Sequence, residues 1–164
     1  MSEFKRLREI VARLRAEDGC PWDRAQTHES LKPECIEEAA EVICGINILS
    51  ETGDAENLKE ELGDLLLQVV MHARIAEEEG LFTIDDVCRE ISEKMIRRHP
   101  HVFRSVEENA ESGRIINDPD KETLRWDEIK KLEKAGKEWT REYLPGAFDE
   151  AEDLINAARK RKGI

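Results

Sequence analysis

The sequence concentrates acidic residues in two short stretches whose spacing suits the binding of a cation. The acids are Glu34, Glu37, Glu38 and Glu41 in the first stretch and Glu61 and Asp64 in the second. On a helix that turns by about 100° per residue, the first four carboxylates share an arc of about 100°. Like charges three or four residues apart on a helix repel each other. The two faces are therefore expected to meet only around a cation, although in a chain with 38 acids the alternative is a set of solvated surface residues.

The ligand types restrict which metal these acids would bind. Carboxylate oxygens select hard cations, so Mg²⁺ is expected, with Mn²⁺ as a substitute. Helical bundles that bind iron use Glu-x-x-His pairs, and none of the four histidines has a glutamate three residues before it. Gly63 lies between Glu61 and Asp64 and costs about 1 kcal/mol in a helix relative to alanine. A glycine there predicts that the two acidic helices approach each other closely at Gly63.

A basic cluster at residues 94–101 supplies the opposite charge, from Lys94, Arg97 and Arg98. A polyphosphate needs a metal on some of its oxygens and Lys or Arg on others, so the acids and this cluster together indicate phosphoryl chemistry. The alternative is a helix C-terminus whose cations match the helix dipole. Because Arg97 and Arg98 differ by about 100° around a helix, they are not expected to reach one ligand equally.

Apolar residues at helical spacing predict the elements that position these groups, and no stretch has the alternation of a strand. An all-α fold is therefore expected. The predicted helices cover about residues 4–14, 33–49, 55–80 and 83–99, with Asp54 as a cap and Gly80 as a C-terminal cap. Residues 20–23 and 105–120 are predicted loops. A helix at about 121–138 and a short last helix after Pro145 follow, and the final cations, residues 159–162, are expected to match the dipole of that helix.

Composition and charge exclude several classes of partner. The net charge of −12 argues against binding of a nucleic-acid polymer or an anionic membrane. The first residues lack the apolar core of a signal peptide, and no apolar run approaches the ~18 residues that a membrane span needs. The four cysteines have no CxxC spacing and are expected to be reduced thiols. A cytoplasmic protein is the prediction.

The ordered set of motifs resembles one enzyme family. Glu37-Glu38-x-x-Glu41 followed by Glu61-x-x-Asp64 is similar to the signature of the all-α NTP pyrophosphatases. Over about residues 4–138 the sequence resembles the MazG branch of this family more closely. The segments that carry this likeness are GCPWD at 19–23, QT at 26–27, EELGDLLLQVV at 60–70, RRHPHVF at 97–103 and WDEIK at 126–130. Well-known members carry two such domains in tandem, and this sequence shows one, with an extended segment at 107–118.

The resemblance implies a function and a set of site residues. It implies a helical bundle that forms a homodimer or a higher homo-oligomer, with a MazG-like domain at residues 1–138 and a C-terminal helical tail at 139–164. It implies hydrolysis of nucleoside triphosphates to the monophosphate and pyrophosphate, a house-cleaning of the nucleotide pool. The implied Mg²⁺ ligands are Glu38, Glu41, Glu61 and Asp64. The implied phosphate contacts are Lys94, Arg97 and Arg98, and the implied nucleotide contacts are Trp126 and Lys130.

Other roles follow from the residues themselves and stay open. Glu37 or Glu41 is expected to take the proton of the attacking water, and Glu34 on the same arc to contact substrate. Trp22 is either a plug of the core or a wall of the base pocket, and the histidines are expected to be structural hydrogen-bonding residues. The alternative functions are a dUTPase-like enzyme, a phosphoribosyl-ATP pyrophosphohydrolase, and a non-catalytic helical module that binds a nucleotide or a partner protein.

Overall fold

The computed structural model describes residues 2–103, 126, 129–130 and 132–164, and for His101 the backbone alone. Within these residues every regular element is a helix, so the predicted all-α fold is confirmed. The chain divides into two compact units, residues 1–84 with 148–164 and residues 85–147. The predicted boundary at 138/139 remains a prediction.

Four helices form the body of the first unit, and the boundaries of the three long ones follow the predicted pattern closely. They are α1 Glu3–Leu14, α2 Pro21–Ala25, α3 Lys32–Thr52 and α4 Glu56–Glu78. The neighbours in the fold are α3 with α4 and α1 with α4. The core is apolar and consists of Val11, Leu31, Val70, Met71, Ala73, Ile75, Ala76 and Ile84. Most of these side chains come from the second half of α4, which is therefore the central helix of this unit.

The turn between α3 and α4 is built as its sequence predicts. Gly53 ends α3 with φ 77°, a left-handed conformation that glycine adopts at little cost. Asp54 then accepts a hydrogen bond from the backbone N–H of Glu56 at 2.9 Å, although Ala55 occupies the position directly before the helix. At the other end of α4, the N–H groups of Gly80 and Leu81 donate to Glu77 and Ala76, as in a Schellman cap.

The close approach of α3 and α4 lies at Gly45, so the prediction that placed it at Gly63 is wrong. A Cβ atom built on Gly45 would lie 2.8 Å from Leu58 Cα and 3.0 Å from Leu58 N. A Cβ atom on Gly63 would meet nothing within 4 Å. Gly45 is buried whereas Gly63 is exposed, so the two helices pack together at Gly45.

Two other local predictions are corrected. Residues 21–25 form the short helix α2 where a loop was expected: Pro21 occupies the first turn, and Arg15 donates to the carbonyl oxygens of Asp23 and Gln26 at 2.5 and 3.1 Å. The helix expected to reach residue 138 ends earlier, since Glu133 is the last described helical residue before the turn at 134–136. The predicted loop at 105–120 lies outside the described residues.

The remaining helices belong wholly or partly to the second unit. α5 Ile84–Arg98 ends just before Pro100, and Pro100 itself begins the short helix α6 Pro100–Phe103. A 3₁₀ helix spans Glu138–Glu142 and precedes α7 Leu144–Lys162, which is 19 residues long and so exceeds the predicted short helix. No helix in the described part of the chain has both the length and the apolarity to cross a membrane.

Candidate active site

Three carboxylates from two helices meet at one place in the first unit. Glu38 of α3 and Glu61 and Asp64 of α4 each offer an oxygen atom, and these oxygens lie within 4.8 Å of one another. Burial raises the pKa of Glu38, and the charges of Asp64, Glu34 and Glu61 raise it further. Ligands this close need only small side-chain rotations to reach one ion with bonds of about 2.1 Å. Three hard oxygen donors that repel each other without a cation fit Mg²⁺ or Mn²⁺.

Asn57 holds one of these carboxylates in place and was not singled out by the sequence pattern. It lies one turn before Glu61 on α4, and its Nδ2 donates a 2.8 Å hydrogen bond to Oε1 of Glu61. Its own Oδ1 is buried and accepts no hydrogen bond from the described residues. Further along the same helix, Gln68 is 8% exposed and its Oε1 is likewise unpaired within the described chain. The acidic face of α4 is thus flanked by two buried amides.

Two further acids of α3 are paired with cations of α7. Arg161 donates to Glu37, and Lys162 donates to Glu41. Glu41 therefore lies in an ion pair, and the three acids that meet within 4.8 Å do not include it. The prediction that the last cations of the chain only match a helix dipole is wrong for Arg161 and Lys162, because each has a specific carboxylate partner more than a hundred residues away in sequence.

Two stacked histidines lie on α4 and the segment before α3, and they form hydrogen bonds as the sequence predicts. His72 Nδ1 is 2.7 Å from His28 Nδ1, and His72 Nε2 is 3.2 Å from Cys35 Sγ. Burial lowers the pKa of His72, and the neighbouring His28 lowers it further. The imidazole of His72 is therefore neutral near pH 7, which suits a structural hydrogen-bonding role. His99 also has a hydrogen-bonding contact, because its Nδ1 lies 2.7 Å from the carbonyl oxygen of Met95.

In the second unit, both arginines of the basic cluster bind one carboxylate. Arg97 contacts Oε1 of Glu133 at 2.7 Å, and Arg98 contacts Oε2 at 2.5 Å. Hydrogen bonds from Arg98 and then Arg97 hold the pKa of Glu133 below its usual range. The two arginines were not expected to reach one ligand equally; in the structure each contacts a different oxygen of the same carboxylate, and their contacts to a substrate phosphate stay a prediction. Glu133 itself was missed by the sequence pattern.

The two predicted nucleotide-contacting tryptophans have different surroundings. Trp126 lies in the second unit with the Arg98 guanidinium 5.1 Å and the Lys130 ammonium 5.6 Å from its ring centroid. The ring of His99 meets Trp126 edge-on at 4.9 Å between centroids. In the first unit, Trp22 is 65% exposed. The interpretation of Trp22 as a core plug is therefore wrong, and a wall of a base pocket remains a prediction. Lys94 is half-buried on α5.

Comparison with known proteins adds independent information about the family. The MazG nucleotide pyrophosphohydrolase domain matches residues 26–103. The nucleoside triphosphate pyrophosphohydrolase/pyrophosphatase MazG of Thermotoga maritima is 49% identical over 138 residues, which are 84% of this chain and 48% of that protein. The nucleoside triphosphate pyrophosphohydrolase of Escherichia coli K12 is 43% identical over the same shares of the two chains. YabN of Bacillus subtilis, an uncharacterized protein, is 49% identical over 80% of this chain and 24% of its own length.

The matched region contains the chemistry described above. Residues 26–103 include the three meeting carboxylates, their neighbours on α3 and the basic residues of α5. The chain spans about half or less of the length of these relatives. The agreement of the domain match, the high identity to several relatives and the all-α fold leads to one conclusion: the chain belongs to the MazG family of nucleotide pyrophosphohydrolase domains.

Proposed function

We propose that this protein hydrolyses nucleoside triphosphates to nucleoside monophosphates and pyrophosphate with the help of Mg²⁺, for which Mn²⁺ can substitute. The observation that carries the proposal is the meeting of Glu38, Glu61 and Asp64 within 4.8 Å on two packed helices. The family supports it, because the T. maritima and E. coli relatives are named as nucleoside triphosphate pyrophosphohydrolases. House-cleaning of the nucleotide pool is the corresponding role. The four unpaired cysteines suit a cytoplasmic setting.

The acids at the candidate site have different proposed roles. Glu38, Glu61 and Asp64 hold the metal, with Glu41 as a fourth ligand once it is released from Lys162. A bound divalent ion supplies charge neutralisation for the triphosphate and a lowered pKa for water. Glu37 or Glu41 then takes the proton from the attacking water. Asn57 keeps one oxygen of Glu61 engaged, so that the other is left for the metal.

The contacts to substrate rest on the resemblance to the family. Lys94, Arg97 and Arg98 are proposed to bind phosphate oxygens, with charge-assisted hydrogen bonds as the source of affinity. The proposed nucleotide contacts are Trp126, Lys130, Glu34 and Trp22. The cation–π geometry around Trp126 supports a stacking role, because the same ring face that attracts Arg98 can also pack against a base.

A homodimer is the proposed assembly. Several large apolar side chains of α3 and α4 are exposed in a single copy: Ile43, Ile46, Leu62, Leu66 and Val69 are between 40% and 60% exposed. Apolar residues this numerous on one pair of helices are typical of an interface. Sedimentation of the protein at micromolar concentration measures this directly, and a monomer would contradict the proposal.

The test of the function is product analysis with matched variants. The wild-type protein is incubated with a mixture of nucleoside triphosphates and Mg²⁺, and pyrophosphate and monophosphates are quantified. We expect both products in equal amounts, no turnover with excess EDTA, and loss of most activity in Asp64→Asn. Glu60→Gln is the matched control, since Glu60 is an exposed acid of the same helix that is not one of the three meeting carboxylates.

Other products would point to other enzymes. Release of orthophosphate and a nucleoside diphosphate would refute the proposed cleavage position. Turnover of dUTP alone or of phosphoribosyl-ATP alone would support one of the alternative enzymes. Full activity of Asp64→Asn would remove the site assignment even if the reaction itself is found.

A further inference from the structure

Two cations at the end of α7 neutralise two acids of α3. The Arg161 guanidinium pairs with Glu37, whose side chain is only 11% exposed. The Lys162 ammonium pairs with Glu41, and these two side chains are 41% and 36% exposed. Both acids belong to the same arc of α3 as Glu38, which is one of the three carboxylates that meet on α3 and α4. The cations thus lie beside the candidate metal site.

A third ion pair keeps α7 aligned with α3. Lys32 at the start of α3 binds Glu150 near the start of α7 at 3.0 Å. From Lys32 to Glu41 a helix rises by about 14 Å, and from Glu150 to Lys162 by about 18 Å. The two helices therefore run in the same direction with similar spans between their paired groups, and the remaining difference of about 4 Å is within reach of a lysine side chain. The ion pairs to α3 therefore occur at two places on α7, at Glu150 and at residues 161–162, and not at its C-terminal end alone.

We propose that Arg161 and Lys162 are internal counter-ions of the acidic face of α3 and that they compete with the divalent cation for it. The inference rests on the proposed function. Lys162 occupies Glu41, so a metal that takes Glu41 as a ligand has to displace an ammonium group of the same charge sign. The Lys162 charge also acts on Glu38, where it opposes the pKa rise caused chiefly by burial and by Asp64. The cations hold the acids in the metal-free protein and leave when the metal enters.

The competition has a predicted size. Partly exposed ion pairs stabilise a protein only modestly, so displacing two of them should weaken metal binding about three- to tenfold, which is about 0.7 to 1.4 kcal/mol. The effect should diminish with added salt, because screening weakens exposed pairs.

The first measurement is binding of Mn²⁺, followed by the loss of the electron paramagnetic resonance signal of the free ion. The double variant Arg161→Gln/Lys162→Gln should bind Mn²⁺ about three- to tenfold more tightly than wild type. The matched control is Arg159→Gln/Lys160→Gln, which removes the same charge from the same helical turn. Within the described chain, Arg159 and Lys160 form no ion pair with the acids of α3. Equal tightening in both double variants, or weaker binding in the first, would overturn the competition.

The second measurement tests the contact without relying on metal affinity. A water-soluble carbodiimide activates carboxylates and joins them to amines in direct contact, with loss of one water overall. In the metal-free protein it should link Lys162 to Glu41, as detected by peptide mass spectrometry, and saturating Mn²⁺ should suppress this link. No such link in the metal-free protein would overturn the docking of α7. A link unaffected by bound Mn²⁺ would overturn the competition. If wild type binds no Mn²⁺ while the link forms, the proposed metal function has failed and with it the competition, but the docked contact stands.

Discussion

Gly45 offers the sharpest test of how the two acidic helices are held together. We expect Gly45→Ala to destabilise the protein because the added Cβ would lie 2.8 Å from Leu58 Cα. Leu58 contributes backbone atoms at this point, and these cannot rotate away as a side-chain end can. Overpacking of this kind costs about 1–3 kcal/mol, and the better helix propensity of alanine returns about 1 kcal/mol. The net loss in the free energy of unfolding should be between about 0 and 2 kcal/mol.

The matched control is the same substitution on the partner helix. Gly63 is exposed, and a Cβ there meets no atom within 4 Å. Gly63→Ala should therefore gain about 1 kcal/mol from helix propensity alone. The free energies of unfolding of the two variants should differ by about 1–3 kcal/mol, with Gly45→Ala the less stable of the two. Urea unfolding of the metal-free protein, followed by circular dichroism at fixed protein concentration, measures both.

Metal affinity provides a second measure of the same contact. Gly45 lies two turns beyond Glu38 on α3, so a forced separation from α4 should move Glu38 away from Glu61 and Asp64. Gly45→Ala should then bind Mn²⁺ more weakly than wild type. Wild-type stability together with unchanged Mn²⁺ affinity in Gly45→Ala would refute the close approach as described.

Three further predictions concern single side chains. Glu38→Gln should keep the fold, lose most pyrophosphate release and hold or raise the stability of the metal-free protein. Because the pKa of Glu38 is raised in the folded state, wild type should gain stability as the pH falls from 7 towards the unfolded pKa of about 4.3. Urea unfolding at several pH values should show a smaller gain in the variant. Asn57→Ala should weaken Mn²⁺ binding about tenfold by freeing Glu61, and an unchanged titration would contradict the positioning role. Arg15→Met should cost about 2–3 kcal/mol at pH 7, since the guanidinium is 6% exposed and bound to Glu78. The hydrogen bond from Arg15 lowers the pKa of Glu78, so this stabilisation is present above about pH 4.3 and is lost as the pH falls through the lower folded pKa. The free energies of unfolding of wild type and Arg15→Met should therefore converge at low pH, and a constant difference below pH 5 would contradict the prediction.

Local signals in the sequence were sufficient for most of the helical framework. The spacing of apolar residues in α1 and α4 indicates which side of each helix faces the core. A glycine such as Gly80 marks a helix end whatever the tertiary surroundings. The meeting of Glu38 with Glu61 and Asp64 was also accessible, because crowded like charges on two adjacent helices are costly without a cation.

The features that sequence could not supply depend on tertiary contacts. Which glycine lies at the helix crossing depends on the rotation of α3 against α4. The prediction rested on Gly63 because it stands between two acids, whereas the crossing lies at Gly45. The short helix α2 is held by the side chain of Arg15, the residue that follows α1. The partners of Arg161 and Lys162 lie more than a hundred residues away, so no local rule distinguishes a paired cation from one that only matches a helix dipole.

The shared carboxylate of Glu133 has a consequence for the entropy of anion binding. A free arginine side chain loses about 2 kcal/mol of rotamer freedom when it is fixed in one geometry. Because Arg97 and Arg98 already hold the two oxygens of Glu133, much of that freedom is lost during folding and before any anion arrives. A phosphate group that binds these arginines, as proposed, would replace Glu133 and meet two guanidinium groups already turned toward a two-oxygen acceptor. The net affinity for phosphate would then be the difference between two interactions with the same preorganised pair of arginines, that of the phosphate and that of Glu133.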